Sequence, residues 1–214
     1  MFATSDLVDV LPALARARPV FHSEADFQHA LAWQVQVARP ELRIRLETRP
    51  QPGVHLDLLV VDPTDGFRLA VELKYLTALW SGDIDGETFN LMRQSASDVR
   101  GYDSVKDIAR VERLVSTGYA DGGAVIILAN DPMYWTVPTH GRATNADAFR
   151  LHEGVVLSGS RVWGPNTGAG TMAGGRTLPI ELAGTYPLRW VDYSRVPGKR
   201  GLFRRLALSM TATG

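Results

Sequence analysis

The 214-residue chain is 45% hydrophobic and 21% charged, the balance of an ordinary globular protein long enough to bury a substantial core. It has no cysteine, which excludes disulfides, thiolate metal sites and cysteine nucleophiles and leads us to expect a cytoplasmic protein. Its 23 basic and 23 acidic residues cancel, so there is no global electrostatic footprint for a polyanion, and no apolar run reaches the roughly 18 residues of a membrane span.

Taken in chain order, Ser23 reads as a helix cap, with Asp26 three residues on completing a box-like start. Phe27, Ala30, Leu31, Val35 and Ala38 then recur at helical spacing up to Pro40. Segments 42–48, 54–62 and 69–76 read as strands, the last two joined by the turn Asp62-Pro63-Thr64-Asp65-Gly66. Residues 80–86 read as a loop. From 87 to about 115 the period turns helical through Phe89, Met92, Ala96, Val99, Ile108 and Leu114, with Gly101 as a point of weakness or kinking. Residues 124–128 are wholly apolar, as in a strand covered on both faces. Strand pieces follow at 154–157, 188–192 and 203–210, with a glycine-rich loop at 164–176. No repeat or linker divides the chain, so we expect a single domain over 1–214, with a core at about 20–130 and a C-terminal β extension at about 150–214.

The strands at 54–61 and 69–76 are strongly apolar, yet each carries charge in its middle. Buried charge is costly unless it is paired, hydrogen-bonded or bound to metal. By strand alternation Leu56, Leu58 and Val60 face one way, together with Leu69, Val71, Leu73 and Tyr75. Asp57, Glu72 and Lys74 face the other. Counting outward from a loop of Pro63 to Gly66, Asp62 pairs with Phe67, Asp57 lies opposite Glu72, and His55 opposite Lys74. Opposed residues of an antiparallel pair have Cβ atoms about 4.5–5.5 Å apart, close enough for two carboxylates to meet on one hard divalent ion. Only three of the 23 basic residues are lysine (Lys74, Lys106 and Lys199), so a lysine at this position invites a chemical reading. The plainer alternative is a solvated Glu72–Lys74 pair on an open sheet face.

Asp57, followed by Glu72-Leu73-Lys74, resembles the D…(D/E)xK motif of the restriction-endonuclease-like, or PD-(D/E)xK, nuclease superfamily. The order of elements over about 20–130 is similar to that family's α-β-β-β-α-β core. Leu56 stands where the family often has proline. The resemblance implies an α/β fold with a mixed central sheet flanked by helices, here with extra C-terminal strands. It also implies a metal-dependent hydrolase of phosphodiester bonds in DNA. Asp57, Glu72 and the Leu73 carbonyl would hold magnesium or manganese, and Lys74 would serve the attacking water. Glu24 stands where many members carry a helical acid, and Gln94 where some, including RecB-like nucleases, carry a glutamine. The competing expectation is an inactive copy of the same fold, binding nucleic acid or assembling with protein, as a homodimer or in a defence or repair complex.

Gln94, Asp98 and Tyr102 recur every four residues and would share a helix face, either a wall of the site or simply the polar side of the helix. Gly168 to Ala173 imitates a dinucleotide fingerprint without the strand and helix it needs. At the C-terminal end, Lys199, Arg200, Arg204 and Arg205 follow the last acid, Asp192, and are expected to grip phosphates or simply to solubilise the surface.

Overall fold

The computed structural model describes residues 3–211. Three helices come first: α1 (Thr4–Asp9), α2 (Leu11–Ala17) and α3 (Glu24–Ala38). Ser23 caps α3 as its spacing implies, its hydroxyl accepting from the Asp26 amide at 3.1 Å. Asp26 does not close the box on Ser23. Its carboxylate accepts instead from the His22 amide and from Arg18, both at 2.9 Å.

A meander follows, of β1 (Arg43–Gln51), β2 (Val54–Val61) and β3 (Arg68–Leu76). The Asp62 amide donates to the Phe67 carbonyl at 2.9 Å, and the Asp62 and Asp65 carboxylates accept from the Thr64 and Phe67 amides. The loop is therefore Pro63 to Gly66, closed by glycine at φ +79°. The register read from sequence holds from Val61↔Arg68 to Leu58↔Val71.

The expected loop and long helix over 80–115 are corrected. A hairpin of β4 (Trp80–Ile84) and β5 (Glu87–Leu91) occupies the first part, and α4 (Ser97–Ser116) starts only afterwards. Asp85 and Gly86 both adopt left-handed φ, +51° and +83°, the two-residue turn that Asp-Gly favours. Phe89 and Leu91 thus alternate inward from a strand. Nor does Gly101 break α4. A Cβ there would stand 2.4 Å from the Phe149 carbonyl oxygen, so the residue is small because the chain passes close by.

β6 (Gly122–Ala129) is followed by 3-10 turns at Pro132–Tyr134 and Asp147–Phe149. Then come β7 (Val156–Arg161), α5 (Ala169–Met172) in the glycine-rich segment, β8 (Ile180–Pro187), β9 (Trp190–Arg195) and β10 (Leu202–Thr211). The central sheet runs β1-β2-β3-β6-β10-β9; β3 and β6 are parallel, and its other neighbours antiparallel. The C-terminal strands are therefore only partly an extension. β9 and β10 complete the central sheet, and β7–β8 forms a separate ribbon.

Both faces of the sheet are covered. On one, Phe21, Phe27 and Leu31 of the N-terminal region pack against Leu58, Val71, Tyr75 and Phe203. On the other, Val105, Ile108 and Val111 of α4 pack with Val125, Ile127, Leu206 and the ribbon residues Leu157 and Leu182. All of β6 is buried, as its unbroken apolar run implies. The N-terminal segment is also tied to β9, where Tyr193 and Ser194 hydroxyls donate to the carbonyls of Arg18 and Pro19. Among the described residues no helix is long and apolar enough to cross a membrane.

Gly101→Ala tests the close approach on α4. In an exposed helix this change would stabilise by about 1 kcal/mol. Here overpacking against Phe149 should reverse the sign and destabilise by about 1–3 kcal/mol in urea unfolding. A gain in stability would mean the contact yields freely.

Candidate active site

β2 and β3 separate just where their charges begin. Pairing stops at Leu58↔Val71, one step before Asp57 would meet Glu72. On its other side, β2 pairs with β1 at Leu46↔Leu58 and Thr48↔Leu56, while Glu47, between them, takes a left-handed φ of +52°. Asp57 is thus released from both neighbours. This also corrects the simple alternation along β2. Leu58 and Val60 pack with Val71 and Tyr75, but Leu56 groups with Ala70, Leu114 and Ala120 beneath α4.

The parting of the strands leaves backbone groups of β3 without a ladder partner, and a buried unpaired amide or carbonyl is expensive. Side chains supply the missing partners. Asp57 Oδ2 accepts from the Leu73 amide at 2.7 Å, and Glu24 Oε2 from the Tyr75 amide at 2.8 Å. Gln94 Nε2 donates to the Tyr75 carbonyl at 2.8 Å, and Lys74 Nζ to the Leu73 carbonyl at 3.2 Å. On β2, Gln28 of α3 donates to the Asp57 carbonyl at 2.7 Å and to Glu47 Oε1 at 2.8 Å. Glu24, Asp57, Lys74 and Gln94 thus meet on two residues of one strand edge. Glu24 reaches it because the first turn of α3 sits over the gap; it is not a bare helix-start charge.

These four side chains, with Glu72 and His55, line one cavity of about 350 Å³ between β3 and α4. Glu72 is 2% exposed, so the reading of a solvated Glu72–Lys74 pair fails: α4 covers that face. Two residues of α4 that the sequence did not single out complete the cluster. Asp107 Oδ2 lies 2.8 Å from Lys74 Nζ, and Arg110 lies 2.6 Å from Glu72 Oε1 and 3.0 Å from Asp107 Oδ1. Their signal was present but faint: a charged pair in register with the apolar stripe Val105, Ile108 and Val111.

Electrostatics follow from this crowding. Burial, then the carboxylates of Asp107 and Asp57, push Glu72 up to about 8 despite Arg110. Burial likewise raises Glu24 and Asp57. For Lys74 burial opposes the charge, but Asp107 and Glu24 outweigh it and hold the group above the usual lysine range. Lys74 is thus a firm ammonium in this arrangement, suited to orienting a water or stabilising negative charge, not to taking a proton.

Other expected residues lie elsewhere. Gln94 precedes α4, so it shares no helix face with Asp98 and Tyr102. Tyr102 is buried against Trp163 and Phe149, and Asp98 borders a different cavity. The four C-terminal cations do not form one patch. Arg204 and Arg205 are consecutive on β10 and project to opposite faces. Arg204 pairs with Asp192 at 3.0 Å and lies over the Trp135 ring, while Arg205 is half-buried beside Tyr193 and Asp9. Lys199 and Arg200 alone share a groove, with Arg93.

Comparison with protein-family models, with curated proteins and with solved structures finds no match to this chain.

The raised Glu72 value has a consequence for stability in chelator. A carboxyl whose folded value lies above its ordinary 4.5 binds its proton more tightly in the folded state. Its contribution is full below about pH 4.5 and is lost as pH rises through about 8. Glu72→Gln keeps the neutral shape and removes that loss. Its Tm relative to the parent should rise from about pH 5 to about pH 8.5 in calorimetric scans. A pH-independent difference would mean that Arg110 already neutralises the carboxylate.

Proposed function

We propose that the chain is a metal-dependent nuclease of the PD-(D/E)xK kind, hydrolysing a phosphodiester bond in DNA. The observation that carries this reading is the meeting of Glu24, Asp57, Lys74 and Gln94 on the freed edge of β3, beside Glu72, in one open cavity.

The residues fit a magnesium or manganese ion. In the inner cluster four carboxylates (Glu24, Asp57, Glu72 and Asp107) outnumber two cations (Lys74 and Arg110), and a bound divalent ion would favour the ionised form of Glu72 that burial and its acidic neighbours disfavour. The buried Gln94 Oε1 has no hydrogen-bond partner among the described residues and is suited to accept from water in the cavity. Among those residues no three His, Cys, Asp or Glu side chains form a metal-holding group on their own. Magnesium does not require that, since it is commonly held by one or two carboxylates and completed by water and substrate phosphate. Asp57, Glu72 and the Leu73 carbonyl would hold it. When bound, it would polarise the phosphoryl oxygen and lower the pKa of its water.

The chain's own residues then have separate tasks. Lys74, fixed by Asp107, orients the attacking water and faces the negative charge that grows on the phosphoryl oxygens. Glu24, 3.9 Å away, adds a second carboxylate beside the ammonium. Water adds to phosphorus as one bridging P–O bond breaks; the water's proton leaves to solvent, and the departing oxygen takes up a proton from solvent to leave as an alcohol. Arg110 holds Glu72 while no phosphate or ion is present.

A second reading rests on that last contact. Arg110 at 2.6 Å from Glu72, and Lys74 at 2.8 Å from Asp107, already pair two of the carboxylates with protein cations. A copy of the fold that has lost catalysis and binds nucleic acid or protein would keep such pairs as its resting structure.

Cleavage of linear, circular and single-stranded DNA with magnesium and with chelator separates the two. Lys74→Gln keeps a donor for Asp107 and should cut magnesium-dependent cleavage by about 10²–10³-fold while leaving the protein folded by circular dichroism. Asp57→Asn keeps the Leu73 hydrogen bond but should weaken calorimetric magnesium binding by about tenfold or more. Parent protein that neither cleaves nor binds magnesium would favour the second reading.

A further inference from the structure

Gln94 lines the cavity, and Arg93, next to it in the chain, lines a second concavity. The Gln94 amide donates to the Thr77 carbonyl at 3.0 Å, and the Thr77 hydroxyl to the Met92 carbonyl at 2.7 Å, so the segments leaving β3 and entering α4 run side by side. Beyond this tie lies an open groove of about 450 Å³, lined by Leu79, Arg93, Asp131, Met133, Lys199 and Arg200, together with Ala78. Its floor is built, not incidental. Asn130 is fully buried; its Oδ1 accepts from the Ala78 amide at 2.7 Å and its Nδ2 donates to the Arg200 carbonyl at 3.1 Å. One buried amide thus clamps the exit of β3 to the β9–β10 turn.

In that turn Arg200 holds φ +68°, a left-handed conformation that glycine adopts more easily than any residue with a Cβ. Arg93, Lys199 and Arg200 place three cations around the groove, against the single carboxylate of Asp131, 3.5 Å from Arg200. Beside them Leu79 and Met133 are 66% and 47% exposed, and Met92, which precedes Arg93 in the chain, is 73% exposed. Cations alone would suit any polyanion. Cations interleaved with exposed, pliable apolar side chains suit a strand whose bases are unstacked, because a duplex offers its phosphates outward and hides its bases.

We infer that this groove binds an extended single strand of nucleic acid, its phosphates on Arg93, Lys199 and Arg200 and its bases on Leu79, Met92 and Met133, and leads that strand into the neighbouring cavity. The inference rests on the nuclease reading only for the destination of the strand; binding itself does not require cleavage.

The test uses the full chain in chelator, with a fluorescent single-stranded oligonucleotide followed by anisotropy. Replacing Arg93 and Lys199 together by alanine should weaken binding at least about tenfold, and should lower the slope of log K against log salt by about 0.7 per lost cation. Arg200→Gly should lower the slope in the same way while folding at least as stably as the parent. Leu79→Ser with Met92→Ser should weaken binding without changing the slope. Unchanged affinity and slope in the charge variants would overturn the site. Duplex DNA or an acidic peptide competing as well as the single strand would overturn the ligand. Intact binding in a parent that never cleaves would defeat the nuclease reading and leave the groove standing; cleavage that survives with no groove effect would do the reverse.

Discussion

An edge strand buried inside a protein has to find partners for its backbone, and here that requirement organises the molecule. β2 leaves β3 after Leu58 and Val71, although both strands continue. The amides of Leu73 and Tyr75, with the carbonyls of the same two residues, would otherwise be orphaned at a cost of about 1–3 kcal/mol each. Four side chains, from α3, β2, β3 and the segment before α4, answer this need, and those side chains are the ones able to do chemistry. Positioning and structural satisfaction are therefore one set of hydrogen bonds. Removing one of these groups disturbs both, so conservative replacements are the informative ones.

The second organising fact is an imbalance of charge. Buried like charges a few ångströms apart raise one another's proton affinity, and Glu72 shows the result most strongly. Asp107 is the hinge of the arrangement, because it contacts both Lys74 and Arg110. It keeps the ammonium charged and brings the guanidinium within reach of Glu72. α4 is thus more than a lid on the sheet, since burial beneath it and the charge of its Asp107 both raise Glu72, and Asp107 helps to hold Lys74 charged. The kink in β1 serves the same place from the other side. Glu47, in its left-handed conformation, turns its carboxylate to Gln28, which in turn holds the Asp57 carbonyl.

Much of this was legible in the sequence, for identifiable reasons. The turn from Asp62 to Gly66 fixes the β2–β3 register through its own hydrogen bonds, and charge interrupting apolar strands marked Asp57, Glu72 and Lys74. Glu24 and Gln94 came from a family pattern, and both stand on the cavity. What sequence could not supply was the end of the ladder, because pairing rules have no term for two strands parting. Asp107 and Arg110 were missed since a helix's rotation about its axis, which decides what its charges touch, is set by packing. Two errors had signals that were overridden. Asp85-Gly86 was a hairpin turn inside what read as a loop, and Arg204-Arg205, as neighbours on a strand, had to point apart.

The bonds from Tyr193 and Ser194 back to Arg18 and Pro19 span 175 residues. Every residue of the cavity is synthesised well before β9 and β10 emerge, yet Tyr75 packs against Phe203, α2 leans on β9 and α1 on β10. Contacts this far apart along the chain close slowly, because loop entropy must be overcome before they reward it. During translation the N-terminal helices are already available to the apolar side of β3, but Phe203, which stacks on Tyr75, arrives only with β10. The nascent chain carries every side chain that lines the cavity long before the sheet that backs them is complete.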